Sequence, residues 1–92
     1  MPGSQAYFWR TAQGDEIDLL IDLGTRRVPF EIKLHSTPGA AETPGLRRCL
    51  ELLKLPRGYV VYPGRRDYSL GRGITALAAA ALLAKPERFV RL

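Results

Sequence analysis

Acidic residues are concentrated in one short stretch of the chain, and a Glu-x-Lys tripeptide follows it closely. Glu16, Asp18 and Asp22 lie among apolar residues, and Glu31 and Lys33 lie near the end of the next alternating segment. Hard divalent cations such as Mg²⁺ or Mn²⁺ bind through one or two carboxylates and retain several waters. A cation held in this way generates a hydroxide nucleophile, and a nearby lysine polarises a phosphate. These residue types therefore indicate metal-dependent phosphodiester hydrolysis.

The acidic residues are positioned by what the pattern predicts to be a β-hairpin. Polar and apolar residues alternate over residues 16–23 and again over 27–34, which is typical of half-buried strands. The Gly-Thr pair between them suits a two-residue turn, and this turn places Asp18 opposite Glu31. A turn one residue later would place Asp18 opposite Lys33 instead. Both registers gather the carboxylates and the lysine on one face, because a shift that mixed the faces would expose apolar residues.

A metal site is one of two interpretations of this polar face. Antiparallel sheets commonly present one face to water, so a solvated face would produce the same alternation. Leu20 and Pro29 share the face with the acidic residues, which predicts that the face is partly covered. Carboxylates that lie opposite one another destabilise a sheet unless a cation or a proton compensates them. Both interpretations stay open at the level of residue pattern.

The remaining elements predict a small mixed α/β domain. An aromatic segment over residues 7–11 predicts a first strand, so the chain opens with an antiparallel meander of three strands. Thr43 followed by Pro44 is typical of a helix start, and Pro56 is expected to end that helix. The elements expected after it are a strand over 58–64 that is covered on both faces, a kinked strand over 68–77 and a helix over 78–85.

The charge of the chain favours polyanionic partners, although weakly. Fourteen lysines and arginines against nine acidic residues leave a net charge of +5 in a chain of 92 residues, the size of one domain. Arg47 and Arg48 lie on the exposed side of the predicted helix and are candidates for contact with a DNA backbone. A solvated helix face is the other interpretation of these two cations.

The cysteine content and the apolar runs indicate the cellular compartment in which the protein is expected to reside. Cys49 is the single cysteine, so an internal disulfide is excluded and a reducing compartment is favoured. The first ten residues lack the basic and apolar regions of a signal peptide. The longest nearly apolar run, residues 74–84, is too short to cross a bilayer. We therefore expect a cytoplasmic protein with no membrane partner.

Several motifs taken together resemble one known family. Phe-Trp-Arg, Gly-x-Glu-Ile-Asp, Pro-Phe-Glu-Ile-Lys and Tyr-Val-Val-Tyr-Pro-Gly occur in this order over residues 7–84. This stretch resembles the C-terminal domain of unknown function that many prokaryotic AAA-type ATPases carry. That domain is related to the PD-(D/E)xK nuclease superfamily, which places an aspartate and a Glu-x-Lys tripeptide on adjacent antiparallel strands.

The resemblance implies roles for individual residues. Asp18 and Glu31 would bind Mg²⁺ or Mn²⁺, Lys33 would be the catalytic lysine, and DNA would be the substrate. Glu16 matches the glutamate two residues before the motif aspartate and is a weaker candidate for a second metal. The implied fold is α/β with a small mixed central sheet of the PD-(D/E)xK type.

The superfamily core opens with a helix, and only six residues precede the first predicted strand here. We therefore expect residues 1–92 to be a single domain that lacks the opening helix, detached from an AAA-type ATPase. Loss of that helix should leave apolar sheet surface open, which favours a homodimer or a domain swap. The alternative function is a non-catalytic interaction or dimerisation module with a vestigial acidic site.

Overall fold

The computed structural model describes residues 5–10, 16–33, 37–39, 43–85, 87–88 and 92, with the backbone alone described at 5–10, 16 and 17. Within these ranges the chain forms a mixed sheet and two helices, which confirms the predicted mixed α/β class. The elements are β1 (Gln5–Arg10), β2 (Glu16–Asp22), β3 (Arg27–Ile32), α1 (Pro44–Leu53), β4 (Gly58–Tyr62), β5 (Tyr68–Gly71), β6 (Ile74–Ala78) and α2 (Ala79–Ala84).

The described strands form one sheet of six in the order β1-β2-β3-β4-β6-β5. Strands β1, β2 and β3 pair antiparallel, which confirms the predicted meander. Strands β3, β4 and β6 pair parallel, and β5 pairs antiparallel to β6 at the edge. Parallel neighbours require a crossover connection, and α1 lies in the connection between β3 and β4.

The turn between β2 and β3 selects the first of the two predicted registers. Leu19 pairs with Phe30 and Asp22 pairs with Arg27, as expected for a Gly24-Thr25 turn. Gly24 has a φ of +88°, a conformation that side-chain-bearing residues rarely adopt. Its N–H donates a 2.8 Å hydrogen bond to Asp22 Oδ1, so the Asp22 carboxylate serves the turn.

Both faces of the sheet carry apolar clusters. On one face the sheet packs against α1, and the buried residues there are Leu20, Leu46, Cys49, Leu50, Val60 and Ile74. On the other face the buried cluster consists of Val28, Phe30, Tyr59 and Leu77. Burying a side chain of this size contributes about 1.5–3 kcal/mol each. Leu20 and Pro29 are buried, which confirms the partial cover predicted for the polar face of the hairpin.

The face away from α1 is largely closed by buried apolar residues. Val28, Phe30, Tyr59 and Leu77 are at most 7% exposed, and Leu92 packs against them. Ile32 of β3 is 45% exposed, so some apolar side-chain surface stays open to solvent. The homodimer or domain swap stays a prediction.

The kinked strand predicted over residues 68–77 is instead the hairpin of β5 and β6. Gly71, Arg72 and Gly73 have φ values of 83°, 54° and 81°, three consecutive positive values that reverse the chain. An extended strand requires negative φ throughout, so the two glycines mark a turn and not a kink. Ser69 pairs with Thr75 across this turn.

The helices begin close to their predicted positions. Thr43 precedes α1 and Pro44 is its first residue, although the Thr43 side chain makes no capping hydrogen bond. Lys54, with a left-handed φ of 56°, ends α1 two residues before Pro56. Neither helix in the described part of the chain is long and apolar enough to span a membrane.

Asp67 connects the residue that precedes α2 to the segment that follows α2. Its Oδ1 accepts a 2.9 Å hydrogen bond from the Ala78 N–H, and its Oδ2 lies 2.5 Å from the Arg88 guanidinium. Burial raises the pKa of Asp67, but the Ala78 hydrogen bond and the Arg88 charge outweigh burial and hold that pKa below 3.8. The ionised carboxylate therefore stabilises the folded state.

Gly73→Ala should destabilise the protein more than Gly71→Ala does. Both changes place a side chain at positive φ, which costs about 1–2 kcal/mol. A Cβ on Gly73 would also lie 2.4 Å from the Pro56 carbonyl oxygen, whereas nothing lies within 4 Å of a Cβ on Gly71. The contact should add about 1–3 kcal/mol to the loss. Urea unfolding measures both values, and equal losses would contradict the close approach at Gly73.

The Asp67 carboxylate should make stability depend on pH in the acid range. Because its pKa is lowered by folding, its contribution is complete above the unfolded value and disappears as pH falls through the folded value. Asp67→Asn should thus lower the melting temperature at neutral pH, and its difference from wild type should shrink below about pH 4. The control is Glu87→Gln, which removes an exposed carboxylate in the same region. A pH-independent Asp67→Asn difference would contradict this account.

Candidate functional site

Asp18 lies at an irregularity in the pairing of β1 with β2. Tyr7 pairs with Leu20 and Trp9 pairs with Ile17, so β2 contains one residue more than β1 between these pairs. Asp18 is one of the two β2 residues in this interval. Bulges of this kind redirect side chains and occur often beside active sites. Asp18 therefore lies in the irregular part of the pairing between β1 and β2.

The Asp18 carboxylate is bonded to the middle of the Glu-x-Lys tripeptide. Asp18 Oδ2 accepts a 2.8 Å hydrogen bond from the Ile32 N–H. This contact lies beyond the last paired residues of the β2–β3 ladder, so a side chain takes the place of a strand carbonyl. Because Ile32 lies between Glu31 and Lys33, the hydrogen bond holds the Asp18 carboxylate beside both residues.

Glu31 and Lys33 form an ion pair at the carboxyl end of β3. Lys33 Nζ lies 3.2 Å from Glu31 Oε2, and the two side chains are 36% and 17% exposed. The Lys33 N–H donates a 2.8 Å hydrogen bond to the Val61 carbonyl, which ties the tripeptide to β4. Glu31 pairs with Val60, whose side chain belongs to the cluster under α1. The Glu31–Lys33 ion pair therefore lies at the edge of the core.

One oxygen of Glu31 is buried without a hydrogen-bond donor. Glu31 Oε2 accepts no hydrogen bond within the described ranges, although the Lys33 ammonium lies close enough for charge attraction. Buried carboxylate oxygens are normally hydrogen-bonded or bound to a cation. This oxygen therefore has coordination capacity that the described protein groups do not use.

The number of carboxylates argues against a zinc site here. Asp18 and Glu31 supply two carboxylates, and Mg²⁺ uses one or two with waters completing its octahedron. A structural zinc site needs four protein ligands, and catalytic zinc needs three. No group of three histidine, cysteine, aspartate or glutamate side chains capable of holding a metal occurs among the described residues.

The other predicted site residues are not brought into this group. Glu16 pairs with Arg10 through its backbone, and its side chain lies outside the described part of the chain. Arg47 lines a separate cleft on α1 that includes none of the three predicted catalytic residues. Arg48 is exposed on the same helix.

The structure also brings together a second set of cationic residues, which the sequence pattern did not predict to lie close to one another. Arg26, Arg27 and Arg57 line one cleft at the opposite end of β3 from Glu31. The parallel pairing of β3 with β4 brings these arginines together across about thirty residues of sequence. The sequence signal was limited to an Arg-Arg pair after the turn, because strand register between distant segments is not a local property.

Comparison with known proteins places the chain in a family. The family model for a domain of unknown function, DUF4143, matches residues 2–82. Two uncharacterized proteins, one of Mycobacterium bovis and one of Mycobacterium tuberculosis, are each 39% identical to this chain over 77 residues. The match covers 84% of this chain and 17% of each relative, so the chain spans about a sixth of their length. No solved structure matches the chain. Since the family model covers most of its residues, the chain belongs to the DUF4143 family.

Proposed function

We propose that this chain is a divalent-metal-dependent nuclease-like domain of the PD-(D/E)xK type that hydrolyses DNA phosphodiesters. The observation that carries the proposal is the contact between Asp18 and the Glu-x-Lys tripeptide. The Asp18 carboxylate accepts a 2.8 Å hydrogen bond from the Ile32 N–H, and Glu31 Oε2 is buried with the Lys33 ammonium 3.2 Å away. An aspartate is thus bonded to the backbone between a glutamate and a lysine.

Asp18 and Glu31 would hold the metal, which when bound supplies a hydroxide nucleophile and neutralises charge on the phosphoryl oxygens. Asp18 enters this arrangement already oriented, because its hydrogen bond to the Ile32 N–H limits the rotation of the carboxylate. The backbone bond from Lys33 to Val61 holds the other half of the site on β4. Glu16 is the candidate for a second metal.

Lys33 has two successive partners in this mechanism. In the chain alone its ammonium neutralises Glu31 at 3.2 Å. With Glu31 bound to a cation, the Lys33 ammonium would be able to donate to a non-bridging phosphate oxygen or to the attacking water. The Lys33 side chain is about a third exposed, so it is accessible from solvent.

The length of the relatives supports a place for this domain in a larger protein. The matched region is 17% of each mycobacterial relative. The resemblance described above assigns the remaining part of such proteins to an AAA-type ATPase, which we propose as the functional partner in the cytoplasm. In that arrangement the ATPase would supply motion or specificity, and the acidic site would supply the hydrolysis.

A second candidate is a non-catalytic interaction module with a vestigial acidic site. The observation that favours it is that protein groups already engage both carboxylates. Asp18 accepts the Ile32 N–H, and Lys33 neutralises Glu31. A site that has lost its metal would retain such contacts, because each stabilises the end of the hairpin.

Metal titration distinguishes a binding site from a solvated acidic face. Wild type should bind Mg²⁺ or Mn²⁺ at millimolar concentration or below in calorimetry, and Asp18→Asn should weaken binding at least about tenfold, or 1.4 kcal/mol. Asn keeps an acceptor for the Ile32 N–H, so the fold should persist. Asp22→Asn is the matched control, because Asp22 lies on the same strand and serves the turn. Absence of wild-type binding at millimolar metal would refute the proposal.

Lys33→Met should separate catalysis from metal binding. Loss of the ammonium should lower the rate of DNA cleavage at least about a hundredfold, since removing one charge-stabilising group costs roughly 2.7–4 kcal/mol. Affinity for metal should stay equal or rise, because Lys33 competes with the cation for Glu31. Supercoiled DNA is the substrate and Lys85→Met is the control. A wild-type protein that binds metal and cleaves no DNA would favour the non-catalytic module.

A further inference from the structure

Arginines from two distant segments meet at the amino end of the parallel strands. Arg26 and Arg27 lie at the start of β3, and Arg57 directly precedes β4. Phe30 pairs with Tyr59 in parallel register, so continuing the register by two residues places Arg57 beside residue 28. The strand pairing thus places three arginine residues at one end of the sheet.

These arginines line a cleft of about 360 Å³, which is the size of a small-molecule site. The other lining residues are Thr25, Val28, Leu55, Pro56, Tyr59 and Leu92. No carboxylate side chain is among the described residues that line it. Asp22 lines an adjoining depression with Arg26 and Arg27, and its carboxylate accepts the Gly24 N–H. Among the described residues that line the cleft, the charged side chains are therefore arginines, and they lie beside apolar residues.

The apolar floor of the cleft is part of the packed core. Val28 and Tyr59 are 4% and 7% exposed, so both belong to the buried cluster of that face. Tyr59 stacks on Phe30 with ring centroids 5.6 Å apart and planes at 29°. Arg27 donates a 3.3 Å hydrogen bond to the Leu53 carbonyl at the end of α1, which restricts one wall. A ligand would meet a surface that is largely preformed.

The cleft is separate from the acidic site. Glu31 lies four residues after Arg27 on β3, a separation of about 13 Å at 3.3 Å per residue. Asp18, Glu31 and Lys33 are absent from its lining. A neighbouring cleft, lined in part by Arg47, Lys54 and Arg72, shares Leu55 with it, so basic residues continue along this end of the molecule. Glu51 is the one acidic residue in that neighbouring lining.

We propose that this arginine cleft binds a phosphate group attached to an apolar or aromatic body. Arginine forks bind phosphate oxygens in bidentate geometry, and clustered arginines attract anions. Leu55 and Pro56, which line the cleft and retain exposed surface, would contact a nucleobase. The phosphate comes either from a free mononucleotide or from the terminal phosphate of a nucleic-acid strand. Binding here needs neither a metal nor the acidic site.

The test is calorimetric binding of a nucleoside monophosphate, inorganic phosphate and a short oligonucleotide with and without a 5′-phosphate. We expect the nucleoside monophosphate to bind more tightly than inorganic phosphate. Arg57→Gln should weaken binding at least tenfold, with Arg26→Gln as a second variant of the same cleft. Arg65→Gln is the matched control, because it removes an equal charge from an exposed position between β4 and β5 and should change affinity less than twofold. Melting temperatures of the variants verify that they fold.

The outcomes identify the source of the phosphate and test whether the cleft binds independently of the acidic site. Loss of oligonucleotide affinity on removal of the 5′-phosphate identifies a strand end as the source, and binding of the mononucleotide alone identifies a free nucleotide. Failure of every phosphate compound to bind wild type at millimolar concentration overturns the proposal, as does equal weakening by Arg57→Gln and Arg65→Gln. Asp18→Asn should leave this binding unchanged, so failure of the metal site is distinguishable from failure of the cleft.

Discussion

The pairing of β3 with two different neighbours is the constraint on which the rest of the molecule depends. On one side β3 is antiparallel to β2, in a register set by the turn at Gly24. On the other side it is parallel to β4, which requires the α1 crossover and thereby covers one face of the sheet. The antiparallel side brings an aspartate to the carboxyl end of β3, and the parallel side brings an arginine to its amino end.

The two ends of β3 therefore carry different side-chain chemistry on a single strand. Carboxylates and a lysine lie at one end, and arginines beside apolar residues lie at the other. The buried middle of the strand, Val28 to Phe30, lies between the two groups. Each end also holds the opposite charge, because Lys33 pairs with Glu31 and Asp22 lies beside Arg27.

Sequence reasoning succeeded where the information is local. Alternation and a glycine at position 24 were enough to predict the β2–β3 hairpin, and the observed register is one of the two that they allowed. It failed where a pattern had two physical meanings, since Gly71 and Gly73 were interpreted as a kink although consecutive positive φ values make a turn. Contacts set by distant register, such as the position of Arg57 beside β3, have no local signal.

The contact between Asp18 and Ile32 gives one side chain two roles. Asp18 belongs to the two residues of β2 that lie opposite one residue of β1, and its Oδ2 accepts the Ile32 N–H beyond the last paired residues of the β2–β3 ladder. A change at this position therefore affects the end of the hairpin as well as any binding by the carboxylate. In related sequences an aspartate here is thus constrained by strand pairing, whether or not a metal is bound.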